Sequence, residues 1–313
     1  MEPTAQLLAA HGHDAVQVDE PHPFDEADLV LLIGSALWYR HTCRELVRTP
    51  PERRPLVAIW HREPLPPARA AGLRRPLPDP LELFDVARRD RRATGENGNA
   101  WLLRRLARHG LPHVLVASTR GRQEYLLERG LDAHWAPLGH NPVHHGRGDL
   151  GLERDIDVLF LGALDVRRRR RKLRELRRHG VHVVAKGSWS DPSCWGEGRL
   201  RLLNRARILL NISRHPGNLA DDRFLLGMAN GALVISEPVY RPEPFVPGRH
   251  FLEAEIDAMP ALIEHYLAHE DERRAIAAEA RRFVLEEHTI EAAVGTMLEH
   301  VSKIAWGDPP AFA

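Results

Sequence analysis

The segment DIDVLFLG, at Asp155–Gly162, is the clearest signal of the fold in this chain. Its uninterrupted apolar letters VLFL predict a parallel strand at Asp157–Leu161 that is covered on both faces. A strongly basic helix is expected after it, at Arg167–His179, and Gly180 ends that helix. A strand, a glycine and a helix in this order predict one unit of a doubly wound α/β sheet.

The same alternation of strands and helices extends outward in both directions. Further strands are expected at Val181–Ala185, Ile208–Ile212 and Ala232–Ser236, and in the first half at Asp14–Val18, Ala27–Ile33, Pro55–Trp60, His113–Ala117 and Ala133–Ala136. Between the halves, Pro137–Arg154 is rich in Gly, His and Pro and lacks periodicity, which predicts an interdomain linker. We therefore expect an α/β protein with two doubly wound, Rossmann-like domains, at 1–142 and 143–289, facing a cleft.

Composition excludes several classes of protein. The chain has 313 residues, and 44 Lys+Arg against 43 Asp+Glu give a net charge of +1, so no bulk field attracts nucleic acid or an anionic membrane. Two cysteines exclude a disulfide framework. The basic residues are nearly all arginine, which indicates a GC-rich, bacterial genome. We expect no signal peptide and no membrane span, and hence a cytoplasmic protein.

The residues that follow the second-half strands are candidates for an anion site, because ligands of open parallel sheets bind beyond the carboxyl ends of the strands. Gly162 would let the backbone approach a phosphate. Lys186 and Gly187 end the next strand, where a compact ammonium suits a phosphate oxygen. An arginine at the start of the basic helix would bind a diphosphate through paired hydrogen bonds, and the candidates are Arg167, Arg168 and Arg169. A solvated helix face and an exposed turn lysine are the simpler alternatives.

The predicted helix Asp221–Asn230 adds candidates at both of its ends. Asp222 is a candidate catalytic residue and Arg223 a candidate ligand-binding residue, although acids also complement a helix N-terminus without any ligand. At the other end, Asn230–Gly231 is a candidate for donor binding or simply closes the helix. Glu237, which ends the next buried strand, is a candidate for binding a ribose hydroxyl.

In the first half, polar residues follow the buried strand Pro55–Trp60. His61 is a candidate general base or acceptor-binding residue, because the unperturbed pKa of histidine is near neutrality. Glu63 is the alternative base. Both residues are equally compatible with an ordinary loop at a strand exit.

A metal site is not expected. His140, His144 and His145 lie close together in the sequence and could be read as metal ligands, but two adjacent histidines do not easily point at one ion. No cysteine completes a tetrahedral set nearby. No Asp-x-Asp pair occupies a strand end either, because Asp155–Asp157 precedes its strand.

An ordered set of segments in the second half resembles the C-terminal domain of GT-B glycosyltransferases, and the nearest group is the CgeB-like and group 1 (GT4-like) transferases. The segments that carry the resemblance are DIDVLFLG (155–162), VVAKGSW (183–189), LNRARILLNIS (203–213) and DDRFLLGMANGALVISE (221–237). In the first half, RGLDAHWAPLGHNP (129–142) resembles the family's approach to the interdomain linker.

The resemblance implies a metal-independent transferase that moves a sugar from a nucleotide-sugar donor to an acceptor. It implies donor binding by the C-terminal domain, to which Ser213 would contribute, and acceptor binding by the N-terminal domain. The acceptor, a small molecule, glycan or peptide, is left open, and no further cofactor is expected. The last segment, 290–313, would pack back on the N-terminal domain as it does in relatives.

One departure from the family pattern concerns two glutamates, eight positions apart, that retaining members usually carry. With Gly231 as the anchor, these positions are Asn218 and Leu226, and neither is acidic. In the family the second glutamate holds the donor ribose and the first contacts the sugar. Asp221 or Asp222 could substitute for them. A non-catalytic binding protein and a nucleotide-sugar epimerase on the same fold therefore stay open as alternatives.

Overall fold

The computed structural model describes residues 2–18, 23–24, 26–73, 95–187 and 191–306. The chain divides into two compact units. The first unit comprises the residues up to Leu138 together with those from Glu291 onward, and the second comprises Gly139–Ile290.

The first unit is built on a sheet of four described strands that are all parallel and lie in chain order. The strands are β1 (Leu29–Gly34), β2 (Leu56–His61), β3 (Val114–Ala117) and β4 (His134–Trp135). The helices are α1 (Glu2–Ala10), α2 (Arg40–Arg48), α3 (Glu96–Ala107) and α4 (Arg120–Leu127), and the C-terminal α11 (Ile290–Trp306) falls almost wholly in this unit. The central strands β2 and β3 are buried from end to end apart from Leu56, because helices cover a parallel sheet on both faces.

The second unit contains five parallel strands in the order β6-β5-β7-β8-β9. They are β5 (Ile156–Leu161), β6 (Val184–Lys186), β7 (Ala206–Asn211), β8 (Leu233–Ser236) and β9 (Leu252–Glu253). The helices are α5 (Pro142–His145), α6 (Arg167–Arg178), α7 (Gly196–Arg205), α8 (Asp221–Ala229), α9 (Met259–Ala268) and α10 (Glu270–Arg282). The strand order reverses between β5 and β7, and such a switch point is where doubly wound sheets bind ligands.

Successive residues of β5 pack against two different layers of helices in this unit. Phe160 packs in one cluster with Leu173 and Leu176 of α6 and with residues of α9 and α10. Leu159, one position earlier, packs in the other cluster with Leu203 of α7 and with α8. Because successive side chains of a strand point to opposite faces, the sheet carries helices on both sides. The expected doubly wound sheet is confirmed.

One sequence-based expectation about local structure is wrong, and a second is met only in part. Asp14–Val18 forms no strand, and the reason is that its apolar residues Val16 and Val18 are exposed and have no neighbouring strand to cover them. The segment Pro137–Arg154 is not a structureless linker throughout, since it contains α5 and buries the side chains of His140 and His145. Its glycines and prolines allow this segment to pack tightly against the rest of the second unit. Among the described residues, no helix is both long and apolar enough to cross a membrane.

Candidate functional site

Two glycines shape the backbone at the carboxyl ends of β5 and β6. A Cβ atom on Gly187 would overlap the carbonyl oxygen of Gly162, so the two strand ends approach as closely as backbone allows. A Cβ atom on Gly162 would lie 2.7 Å from a guanidinium nitrogen of Arg223. Glycine is therefore required at both positions, and the predicted open backbone at Gly162 and Gly187 is present at the strand ends.

Arg223, in the first turn of α8, spans the switch point of the sheet. Its Nε donates to the carbonyl oxygen of Leu161, at the end of β5, over 2.8 Å. Its Nη1 donates to Oδ1 of Asn211, at the end of β7, over 2.6 Å. Burial lowers the pKa of Arg223 to about 10, and nearby Asp222 opposes that shift. A half-buried guanidinium is thus fixed at the place where a doubly wound sheet binds its ligand.

Arg169 of α6, one of the three candidate arginines, lies beside Arg223 against the ring of Phe160. It is buried, its Nε donates to the carbonyl oxygen of Ile212 over 3.0 Å, and its guanidinium lies 5.7 Å from the ring centre of Phe160. Burial, followed by the charges of Arg223 and Arg214, lowers the pKa of Arg169 to about 9. Helical spacing distinguishes Arg169 from its neighbours, because it places Arg169 on the same inward face of α6 as Leu173 and Leu176.

The structure brings Arg168, Ser213 and Glu237 together next to this pair. The guanidinium of Arg168 donates to both carboxylate oxygens of Glu237, over 2.8 and 2.5 Å. Its Nη1 also donates to the carbonyl oxygen of Ser213 over 2.8 Å. The Ser213 hydroxyl is turned away and donates to the carbonyl oxygen of Asn218 over 2.7 Å. Ser213 therefore positions Arg168 through its backbone, and Glu237 is held by a paired, charge-assisted interaction.

Positive charge dominates this cluster. Burial and the charges of Arg214, Arg168 and Arg169 lower the pKa of His215 to about 4. The charges of Arg223, Arg214 and Arg168 also contribute to the lowered pKa of Arg169. Glu237 is the carboxylate in direct contact with them among the described residues. Guanidinium groups held close together at strand ends form a site for an anion with several oxygens, such as a diphosphate.

Lys186 and Arg167 lie further out. The Lys186 ammonium is 3.5 Å from a carboxylate oxygen of Asp191, and its side chain is 40% exposed. Arg167 is exposed and forms no ion pair within the described ranges. The structure does not join either side chain to the buried arginines.

Asp222, expected to act in catalysis, faces α5 instead. Its Oδ1 accepts hydrogen bonds from Nε2 of His144 over 2.9 Å and from Nε2 of His145 over 3.1 Å. Partial burial opposes ionisation, but these two hydrogen bonds outweigh it and hold the pKa of Asp222 well below its ordinary value. The carboxylate fixes α5 to the start of α8, which is a structural role.

These three side chains also correct the expectation that adjacent histidines cannot converge. The candidate ligand atoms of His144, His145 and Asp222 lie within 4.8 Å of one another. However, Nδ1 of His145 accepts a hydrogen bond from the backbone N–H of Asn141 over 2.8 Å. Nε2 of His145 must then carry the ring proton and donate to Asp222, whereas a metal-binding histidine usually donates through its other nitrogen. Hydrogen bonding accounts for the arrangement of these three side chains, and the expected absence of a metal ion stays a prediction.

Asn230 and Gly231 have the second of their two expected roles, which is to close the helix, and donor binding by them stays a prediction. Asn230 is buried, and its amide donates to the carbonyl oxygens of His145 over 2.7 Å and of Leu226 over 2.8 Å. Gly231 has a φ of +70° and ends α8 in the left-handed conformation. Both residues precede β8 and so lie at the edge of the sheet opposite to the strand ends. Leu226, on α8, packs in the apolar core.

His61, at the end of β2 in the first unit, is also not suited to be the expected general base. Its side chain is fully buried. Burial and the positive charge of Arg122 lower the pKa of His61 to about 3, so the neutral ring is a weak base near neutral pH. Glu63 lies two residues further along and is half-buried. Of the two predicted bases in this unit, only Glu63 stays a candidate.

Further buried polar residues surround the strand ends of the first unit. The hydroxyl of Ser35, after β1, donates to Oδ1 of Asn99 over 2.5 Å, and the Asn99 amide donates to the carbonyl oxygen of Pro64 over 3.1 Å. Arg122 donates to the hydroxyl of Ser118, after β3, over 2.5 Å. Nothing in the sequence distinguishes Asn99 from other polar residues of an amphipathic helix.

Part of this sequence matches a known protein family. A family model described as glycosyl transferase-like matches residues 167–299, which include the arginine cluster. No curated protein matches the chain.

The fold is similar to that of several solved structures. Sucrose-phosphate synthase from Thermosynechococcus elongatus has a TM-score of 0.56 at 14% identity, over 89% of this chain and 74% of that chain. WaaG, a glycosyltransferase involved in lipopolysaccharide biosynthesis, has a TM-score of 0.53 at 13% identity, over 95% and 93%. HepE from Anabaena, in complex with UDP, has a TM-score of 0.53 at 10% identity, over 88% and 99%.

The two parallel sheets and these similarities identify the fold as GT-B, the fold of a large class of glycosyltransferases. Within this fold, the segment that matches the glycosyl transferase-like family model lies mostly in the second unit. The expected resemblance to GT-B group 1 transferases is confirmed, and the CgeB-like subgroup stays a prediction.

Proposed function

We propose that this protein transfers a sugar from a nucleotide-sugar donor to an acceptor and holds the donor diphosphate at the switch point of the second unit. The observation that carries the proposal is the meeting of Arg168, Arg169 and Arg223 at the ends of β5, β7 and β8. Arginine guanidinium groups bind phosphate oxygens in pairs, and burial strengthens each such contact. The UDP bound in the HepE structure, on the same fold, supports a nucleoside diphosphate as the ligand.

Glu237 is suited to bind the donor ribose in place of the glutamate that Leu226 replaces. Its two oxygens accept from Arg168, but a carboxylate has about four acceptor positions, so sites remain for two hydroxyl groups. Arg168 would also orient the carboxylate. Arg168 and Glu237 would therefore act as one unit in donor binding.

Catalysis would come mainly from stabilising the leaving group. As the bond between the sugar C1 and the diphosphate oxygen breaks, negative charge grows on that oxygen, and the fixed guanidinium groups stabilise it without reorganising. These arginines supply the positive charge that a divalent ion provides in metal-dependent transferases, which is why we propose a metal-independent reaction. Glu63, in the first unit, is the candidate base for the acceptor.

Both cysteines are free and buried, in agreement with a cytoplasmic location.

Calorimetry with a panel of nucleoside diphosphates tests the donor site. Arg223→Gln should weaken binding about tenfold to a hundredfold, since a charge-assisted hydrogen bond contributes about 1.5–3 kcal/mol. Arg201→Gln, on the exposed surface of α7, is the matched control and should bind as the wild type does. Equal affinities for Arg223→Gln and wild type would remove the proposal.

A non-catalytic binding protein is the second candidate, and the observation that favours it is the burial of Leu226 in the core. Such a protein would bind the same diphosphate and never release it as product. Turnover of any nucleotide-sugar by the purified protein, measured as release of nucleoside diphosphate that depends on an acceptor, would exclude this second candidate.

A further inference from the structure

The outward face of α6 is a continuous stripe of arginine. Six exposed residues form it, and we call it the arginine face: Arg167, Arg170, Arg171, Arg174, Arg177 and Arg178. At about 100° per residue they fall within an arc of about 120°, along about 17 Å of helix. The opposite side of the helix is buried through Arg169, Leu173 and Leu176. The face is therefore flat, one-sided and cationic.

None of these six arginines forms an ion pair with a described residue. Elsewhere in the second unit, several surface arginines are paired with acids, whereas Arg147 and Arg214 are exposed and form no ion pair with a described residue. The pairs are Arg201–Glu197, Arg205–Asp155, Arg249–Glu279, Arg274–Glu270 and Arg282–Glu287. The one acid of α6, Glu175, lies off the arc and faces Lys172. An arginine-rich composition explains how often arginine occurs, but it does not explain why acids are excluded from this face.

The arrangement is electrostatically unfavourable for an isolated protein. Arginines three and four positions apart, such as Arg167 with Arg171 and Arg174 with Arg178, repel one another on a helix surface. The first turn contains no acid to complement the positive end of the helix dipole. An anionic partner that covers the face would reverse the sign of these interactions.

We propose that the arginine face docks the protein on the surface of an anionic lipid bilayer. A group of four to eight basic residues on one side of a helix is the usual pattern for binding acidic lipid headgroups. A nucleic acid fits less well, because α6 contains no aromatic, Asn or Gln residue to contact bases. The whole chain has a net charge of +1, and α6 alone carries nine basic residues and one acid, so the rest of the chain is net acidic. An anionic membrane repels this acidic remainder and attracts α6, so the protein would dock with α6 toward the membrane.

The arginine face has no exposed apolar residue, so binding would be electrostatic and peripheral. Such binding weakens as salt shortens the range of the interaction. The proposal is independent of donor binding, because Arg171, Arg174 and Arg178 are exposed and make no contact with the buried arginine cluster.

Vesicle flotation with the full chain tests the proposal. Vesicles of phosphatidylcholine mixed with phosphatidylglycerol should bind the wild type, vesicles of phosphatidylcholine alone should not, and high salt should release the protein. The triple variant Arg171→Gln/Arg174→Gln/Arg178→Gln should bind the anionic vesicles on the order of a hundredfold more weakly, at about fivefold per arginine. The control Arg201→Gln/Arg249→Gln/Arg274→Gln has the same net charge and should bind nearly as the wild type does.

Three outcomes would overturn the proposal. The wild type could fail to bind anionic vesicles, both triple variants could lose binding equally, or a labelled RNA duplex could bind through the arginine face while vesicles do not. Unchanged binding of a nucleoside diphosphate by the Arg171/Arg174/Arg178 variant would show that the variant is folded.

Discussion

Replacement of Gly162 by alanine should damage the donor site directly. The new Cβ atom would lie 2.7 Å from a guanidinium nitrogen of Arg223, 3.2 Å from the ring of Phe160 and 3.3 Å from a guanidinium nitrogen of Arg169. The first distance is shorter than any normal contact, so Arg223 must move by several tenths of an ångström. It would then lose or weaken its hydrogen bonds to the end of β5 and to Asn211.

Gly180→Ala is the matched control for this change. Gly180, after α6, has a φ of +81° and nothing within 4 Å of the position of a Cβ atom. Both variants bear a backbone strain of about 1–3 kcal/mol, because both glycines have a positive φ. Only Gly162→Ala also disturbs a charge-assisted hydrogen bond, which adds about 2 kcal/mol. For a unit of this size the difference lowers the melting temperature of Gly162→Ala by about 4–8 °C relative to Gly180→Ala.

Two assays separate strain from loss of the site. Differential scanning calorimetry gives the stability of both variants, and titration with UDP gives their affinities. Gly162→Ala should bind at least about tenfold more weakly than the wild type, and Gly180→Ala should bind equally well. Equal melting temperatures together with equal affinities in the two variants would refute the placement of Arg223 against Gly162.

Three further predictions follow from the same contacts. Asp222→Asn should cost about 1 kcal/mol of stability, measured by urea unfolding, and should leave UDP affinity unchanged; a large loss of affinity would mean that Asp222 contributes to the donor site. Because His61 stays neutral in the fold until about pH 3 but has an ordinary pKa of 6.5 when unfolded, stability should fall as the pH drops below about 6.5, by up to about 1.4 kcal/mol per pH unit. Urea titrations of His61→Leu should show a shallower fall, and an unchanged slope would contradict the burial of the ring. Glu237→Gln should weaken UDP binding and leave pyrophosphate binding nearly intact, whereas equal losses would mean that Glu237 only orients Arg168.

The fold could be predicted because its strongest signals are local. β5 and β8 are continuous apolar runs bounded by glycine or a polar residue, and such runs form strands wherever helices cover both faces. Asp14–Val18 has only a weak alternation, and without a neighbouring strand it forms no ladder. Composition identifies Pro137–Arg154 as a segment without a long helix, but it does not show which of its histidines are buried.

The candidate site could be predicted to the level of strand ends and no further. Sequence order placed Gly162, Arg168, Arg223 and Glu237 after neighbouring strands, and the structure brings them together. Which side chain turns inward depends on the rotation of α6, which is set by Leu173 and Leu176. Asn230 precedes β8 and Glu237 follows it, and residues before and after a strand lie at opposite edges of the sheet.

Titration calorimetry of the wild-type protein with UDP, GDP, ADP and dTDP, each compared with its nucleoside, tests the central claim most directly. If Arg168, Arg169 and Arg223 form a diphosphate site, at least one nucleoside diphosphate will bind a hundredfold or more tighter than its nucleoside, since two charge-assisted contacts contribute about 3 kcal/mol or more. If every nucleoside diphosphate binds no better than its nucleoside, the arginine cluster is not a donor site.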